Sequence, residues 1–162
     1  MDVRLESPSD AAAIRAILEA AFPTAAEAGL VDELRRAGDV VFSLAAVDGV
    51  RIVGCVVFSK MVAPFPALAL APVAVLPERQ RGGVGSLLIR DGLARCEVGG
   101  WTAVFVLGNS AYYGRFGFRA DRASGFESLY VGPHFMALAL GRGDWSANSG
   151  KLGYAHAFAA LG

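Results

Sequence analysis

The chain has 162 residues, 15 of them basic and 15 acidic, for a formal net charge of zero. A length near 150 residues predicts one domain, here 1–162, burying roughly 70% of its unfolded surface, and balanced charge argues against bulk binding to nucleic acid or an anionic membrane. Apolar residues make up 54%, yet no run reaches the ~18 residues of a membrane span, because Pro64, Pro66 and Pro72 break the longest one, Met61 to Leu76.

Val3 to Glu6 reads as a short strand, and a start of Met1-Asp2-Val3-Arg4 lacks the apolar stretch of a signal peptide, so a cytoplasmic protein is expected. Ser7-Pro8-Ser9-Asp10 opens a helix, with Ser7 as N-cap and Pro8 at the first helical position. Ile14, Ile17, Leu18 and Ala21 form its apolar stripe, and Pro23 closes it. A second helix is predicted from about Glu27 to Arg36, with Gly38 past its end. The period then changes. Val40 to Val47 and Arg51 to Lys60 read as strands joined at Asp48-Gly49. Leu68 to Leu76 is a further strand, and Pro72 inside it requires a bulge or a free edge, since proline cannot donate to a ladder. A turn at 77–80, a helix from Gly83 to Cys96, and a strand from Trp101 to Leu107 follow. Ser110 to Phe116 reads as a short helix; Phe118 onward and Phe135 to Leu140 read as strands. A Gly/Ser/Asn-rich tail starts at Asp144, and Lys151 to Phe158 adds a strand or a short cover. Cys55 and Cys96 lie in apolar segments without metal-ligand spacing and are read as reduced core residues.

The informative feature is Val73-Ala74-Val75-Leu76-Pro77-Glu78-Arg79-Gln80-Arg81-Gly82-Gly83-Val84-Gly85-Ser86. An apolar strand runs into a glycine-rich turn and then a helix. The helix N-terminus offers unpaired N–H groups and a partial positive charge, and glycines let an anion approach the backbone, so the segment reads as an anion cradle. It lacks the Gly-Lys-Ser/Thr ending of a nucleotide P-loop and the Gly-x-Gly-x-x-Gly spacing of a dinucleotide fold. A plain strand-to-helix turn would share the bare pattern.

The segment from Val73 through Gln80-x-x-Gly83-x-Gly85, followed by Ala111-Tyr112-Tyr113-Gly114-Arg115-Phe116-Gly117-Phe118, resembles the GNAT superfamily of acyl-CoA-dependent N-acyltransferases. Leu30 to Arg35 and Tyr154 to Phe158 are similar to a bacterial N-acetyltransferase subgroup. The resemblance implies an α+β fold: a mixed, mostly antiparallel sheet splayed between its fourth and fifth strands, with helices on both faces. It implies acetyl-CoA as co-substrate, no metal, and transfer of an acetyl group to a primary amine by direct attack. It implies cofactor contacts at Val73, Ala74, Val75, Gln80, Arg81, Gly82, Gly83, Val84, Gly85, Ser86, Asn109 and Tyr112, and a general acid at Tyr113. Asn109 reads equally as a helix cap, while Tyr112 reads first as a tyrosine anchored in the core. Arg79 and Arg115 read as surface cations that are available to CoA phosphates.

A thiol of pKa ~8.5 and a tyrosine of ~10 are close enough for Tyr113 to protonate the leaving thiolate. No carboxylate lies in the strand before the loop, which leaves Glu27, Asp32, Glu33, Glu127 and His134 as candidate bases, each also readable as a surface residue. A lysine amine of pKa ~10.4 is free to about 1 part in 2500 at pH 7, against about 10% for an α-amine of ~8, which favours a lower-pKa amine or an ordered water as base. Phe65, between two prolines, is a candidate border of the acceptor site. The acceptor itself, small molecule or peptide, has no portable code. The competing readings are a non-catalytic acyl-CoA-binding or regulatory domain and a homodimeric interaction module.

Overall fold

In the computed structural model, which describes residues 1–141 and 149–161, the elements follow the order read from the periodicity. They are β1 (Asp2–Leu5), α1 (Ala11–Ala21), α2 (Ala26–Ala37), β2 (Val40–Asp48), β3 (Arg51–Val62), β4 (Ala67–Val75), α3 (Val84–Val98), β5 (Ala103–Leu107), α4 (Ser110–Gly114), α5 (Ala120–Ala123), β6 (Phe126–Glu127), β7 (Phe135–Ala139), β8 (Gly150–Lys151) and β9 (Gly153–Tyr154). Short 3-10 turns cover Pro8–Asp10, Pro77–Arg79 and His156–Leu161. The start of the tail at Asp144 falls outside the described residues.

The main sheet runs β1-β2-β3-β4-β5-β7, with β9 also paired to β3. Every pairing in it is antiparallel except β4 with β5. That parallel pair is short: Ala67, Ala69 and Leu68 face Ala103, Phe105 and Val104, and there it stops. Beyond Ala69 the two strands part. On the other side of β4, pairing with β3 continues to Val75, with a register shift where Val56 pairs Val73 and Phe58 pairs Leu70. The shift spans the Ala71-Pro72 bond, which is cis. Pro72 therefore sits at both a bulge and an open edge, the two alternatives its ring required.

Alternation along β3 splits the core into two layers. Val56 and Phe58 pack with Val84, Leu88, Ile89 and Leu93 of α3. Cys55 and Val57 pack with Ile14, Leu18, Val31 and Leu34 of α1 and α2. Helices thus cover both faces. Both thiols are free and buried, and burial pushes each up to about 12. The helix opening at Ser7 is a reciprocal cap: the Asp10 carboxylate accepts from the Ser7 N–H at 2.8 Å and from Arg4 at 2.6 Å. The Arg35 guanidinium and the Ser43 hydroxyl donate to buried Glu6, tying the end of α2 to β1 and β2.

One expectation fails. The segment after Phe118 is not a strand: a single bridge joins Arg119 to Ala137, and the chain then turns into α5. Helix α5 packs against β7, with Ala123 buried in the cluster of Phe126 and Phe135 and Ala120 at the edge of the cluster on the α3 side.

Candidate active site

The glycine-rich turn is held close to the sheet by small residues below it. A Cβ on Gly54 in β3 would stand 3.0 Å from Val84 Cγ1 and 3.1 Å from the Ala74 carbonyl, so the first turn of α3 sits directly on the strand. Gly83 is the N-cap, with φ at +90°, and Arg81 has φ at +65°. Left-handed residues alternating with ordinary ones turn successive N–H groups to one side and make a concave anion site. The N–H groups of Val84, Gly85 and Ser86 open the 15-residue helix and have no carbonyl four residues back to pair with.

These groups border a cleft of about 360 Å³ lined by Val73, Val75, Arg79, Gln80, Arg81, Gly83, Val84, Gly85, Ser86, Tyr112 and Arg115. Most of the expected cofactor set is therefore brought together. Three members are not on its wall. Ala74 points to the opposite layer, where it is buried with the residues of α1 and α2. Gly82 lies in the turn outside the lining. Asn109 caps α4, its side-chain oxygen accepting from the Tyr112 N–H at 2.9 Å, which is the capping alternative.

Two arginines left as surface cations are on the wall instead. Arg79 is anchored by Asp48 at 2.7 Å, which holds that carboxylate below its usual value. Arg115 donates to the Ser86 hydroxyl at 3.2 Å and lies over the rings of Tyr112, at 4.7 Å, and Phe116, at 5.4 Å. Sequence spacing does not show that Arg115 meets Ser86, because they are 29 residues apart and joined only by the fold.

The cleft continues onto the open edge of β4. The Leu76 N–H donates to Val53 of β3 at 2.9 Å. Main-chain groups alternate sides along a strand, so those of Val75 and Val73 point the other way, toward the gap left by β5. The Val75 carbonyl is covered by the Gln80 side-chain amide at 3.0 Å.

Tyr113, in α4 beyond the end of β5, is not among the residues that line the cleft, although its neighbour Tyr112 is. It packs edge-on against Tyr112 at 5.1 Å and Phe118 at 5.9 Å. Its ring lies over Gly108 at the end of β5, where a Cβ would stand 2.6 Å from ring carbon Cε2. Burial, with a smaller contribution from Tyr112, pushes the Tyr113 phenol up to about 12. Of the candidate bases, Asp32 pairs with Arg15 and Glu33 with Arg36, while Glu127 and His134 are exposed. Glu27 is half-buried, and its Oε2 is enclosed without a hydrogen-bond partner. Among the described residues no group of His, Cys, Asp and Glu is arranged to hold a metal.

The acetyltransferase (GNAT) family model matches residues 11–118. The uncharacterized N-acetyltransferase YhbS of Escherichia coli K12 is 39% identical over 123 residues, 73% of each chain. The crystal structure of E. coli YhbS in complex with CoA matches with a TM-score of 0.92 and 29% identity, over 99% of this chain and 93% of that one. A GNAT family acetyltransferase from Brucella melitensis in complex with acetyl-CoA matches with a TM-score of 0.81 and 35% identity, over 97% of each chain. A bulged fourth strand that parts from the fifth, a left-handed turn onto a helix, and these likenesses agree: the chain belongs to the GNAT family and is an acetyltransferase.

Proposed function

We propose that the cleft binds acetyl-CoA and that the chain transfers its acetyl group to a primary amine by direct attack. The observation that carries this reading is continuity. The N–H cradle at α3 and the free edge of β4 line one cleft, whose wall also carries Tyr112, the ring neighbour of Tyr113. Related structures hold CoA or acetyl-CoA, and this chain has the groups to do the same. The N–H groups of Val84, Gly85 and Ser86, with Arg81 and Arg115, receive the pyrophosphate. The main chain of Val73 and Val75 pairs with the pantetheine arm as an added strand would. Gln80 covers the Val75 carbonyl until a pantetheine amide replaces it.

The thioester then lies in the gap. The amine nitrogen attacks the carbonyl carbon, and an outward N–H of β4 stabilises the oxyanion. As the tetrahedral intermediate collapses, the C–S bond breaks and the acetyl group stays on nitrogen. The nitrogen releases one proton to solvent, and the thiolate gains one from Tyr113. A phenol near 12 is poorly matched to a thiol in water at ~8.5. The same burial acts on both partners, however. A thiolate desolvated beside the phenol is raised in the same direction, which narrows that mismatch.

The test is acetyl-CoA-dependent thiol release across a panel of amines, with acetyl-CoA affinity measured calorimetrically beside it. Amine-dependent release supports the reading. Acetyl-CoA binding with no release for any amine leaves a non-catalytic acyl-CoA-binding domain, and absence of binding removes the cofactor assignment as well.

A further inference from the structure

A second hollow, of about 380 Å³, shares no residue with the cleft. It lies between the C-terminal half of α3 and β7, the last strand of the main sheet, and its wall includes Arg90, Leu93, Glu97, Phe116, Leu138 and Leu140. The strand side of this hollow is an uncovered edge. Main-chain groups of Leu138 and Leu140 face β5, as the bond from the Leu140 N–H to the Thr102 carbonyl shows. Those of Ala137 and Ala139 therefore face outward. Ala137 is bonded both ways to Arg119, but the outward groups of Ala139 have no partner among the described residues. Edges of this kind invite pairing or cover.

The helix side carries one stripe. Arg90, Leu93, Ala94 and Glu97 follow the i, i+3, i+4, i+7 spacing and share a face of α3. Leu93 is nearly buried, and Ala94 beside it is exposed. Ala94 also borders a further hollow of about 420 Å³ with Val98, which is 91% exposed, so the depression continues across the helix. The charges on this surface are not alike. Asp91 and Arg95 satisfy each other at 2.6 Å. Arg90 lies over the Phe116 ring at 4.9 Å and stands about 10 Å along the axis from Glu97, beyond an intrahelical pair. Among the described residues neither Arg90 nor Glu97 has an ion-pair partner.

We infer that this face joins two copies of the chain, with the two α3 helices packed antiparallel about a two-fold axis. The charge order carries the inference. A two-fold axis midway between Leu93 and Ala94 sets Arg90 of one copy against Glu97 of the other, and Glu97 against Arg90, in the same contact. Leu93 then meets Ala94 of the other copy, and the small side chain lets the helices approach closely. Each copy's helix covers the hollow beside β7 of the other. A partner of another sequence would need the reverse charge order on a helix of its own; a second copy presents it by symmetry. The cradle at 84–86 lies beyond the paired segment, so the dimer leaves the cleft open.

The test is sedimentation equilibrium on the full chain at up to about 200 µM, where a dimer with a Kd of about 100 µM or tighter is detected. The expected result is a monomer–dimer equilibrium in that range. Arg90→Glu and Glu97→Arg each set like charges together at two places and should each weaken the dimer at least about tenfold. The double variant Arg90→Glu/Glu97→Arg restores opposite charges in exchanged positions and should return the Kd to within about threefold of wild type. Ala94→Glu places a long charged side chain at the close approach and should leave a monomer. A circular dichroism spectrum like that of wild type shows that each variant is folded. A monomer at every concentration overturns the proposal. A dimer indifferent to both single charge reversals, or a double variant no tighter than the single ones, overturns it as well.

Discussion

The hydroxyl of Tyr112 hangs over Gly85, so close that a Cβ at position 85 would stand 2.9 Å from it. The first turn of the cradle helix and the first aromatic of α4 are thus fitted to each other, and Arg115 stacks on the same tyrosine while bonding Ser86. Gly85→Ala should tilt Tyr112 and loosen Arg115, at about 1 kcal/mol for the overpacking, or roughly fivefold in acetyl-CoA affinity. Adding Tyr112→Phe removes the clashing atom and should recover most of that loss. Calorimetric titration of both variants checks it; a double variant weaker than the single one would show that the contact is not the cause.

Tyr113→Phe should lower kcat by about 10²- to 10⁴-fold with acetyl-CoA affinity nearly unchanged, if the phenol protonates the thiolate. Gly108→Ala should act on the same step indirectly. Its Cβ would meet the Tyr113 ring at 2.6 Å, so the ring must shift while the cradle stays in place. A fall in kcat without a matching rise in acetyl-CoA KM is the expected signature, measured by initial rates at saturating amine.

The high-pH limb of the rate profile follows from the Tyr113 environment. Its phenol is raised to about 12, so it stays protonated through pH 10, where an ordinary tyrosine is half-ionised. No loss of kcat attributable to this group should appear near pH 10. A raised phenol also means that the native state is relatively less favoured once unfolded tyrosine ionises, so stability declines above about pH 10. Rate profiles and thermal melts over pH 7–11 separate the two.

At low pH the sensitive group is Asp10. Bonds from Arg4 first, then from the Ser7 N–H, hold its carboxyl well below the ordinary value of 3.8. A depressed carboxyl contributes stability above its unfolded pKa and loses it as pH falls below that value. Asp10→Asn should therefore flatten the decline in melting temperature below about pH 4, while at pH 7 it melts lower than wild type.

Gly92 lies within α3, where alanine would ordinarily be favoured by about 0.5–1 kcal/mol. Here a Cβ would stand 2.4 Å from the ring of fully buried Phe58. Gly92→Ala should therefore destabilise by about 1–3 kcal/mol, seen as a lower denaturant midpoint with an unchanged slope. A more stable variant would mean that the helix rides higher over β3.

Periodicity carried the element order well, because a change from a 3.6-residue to a 2-residue repeat is a local property of the chain. Pro72 was also legible, since a missing N–H must lie at a bulge or an edge wherever the strand is placed. The strand expected after Phe118 became α5 because four residues are too few for period to decide, and packing under β7 does. Arg115 was legible as a cation but not as a wall of the cleft. Its partners Ser86 and Tyr112 come from one helix distant in sequence and one adjacent.

The sequence alone determined the family resemblance, the strand-turn-helix of the cradle, and the place of Tyr113 downstream of it, because these depend on residue type and short spacing. Only the tertiary structure decided where β4 leaves β5, that Tyr113 is buried enough to raise its phenol, and that Arg115 meets Ser86. Those properties arise from contacts between segments tens of residues apart, through burial and register, and no local pattern encodes them.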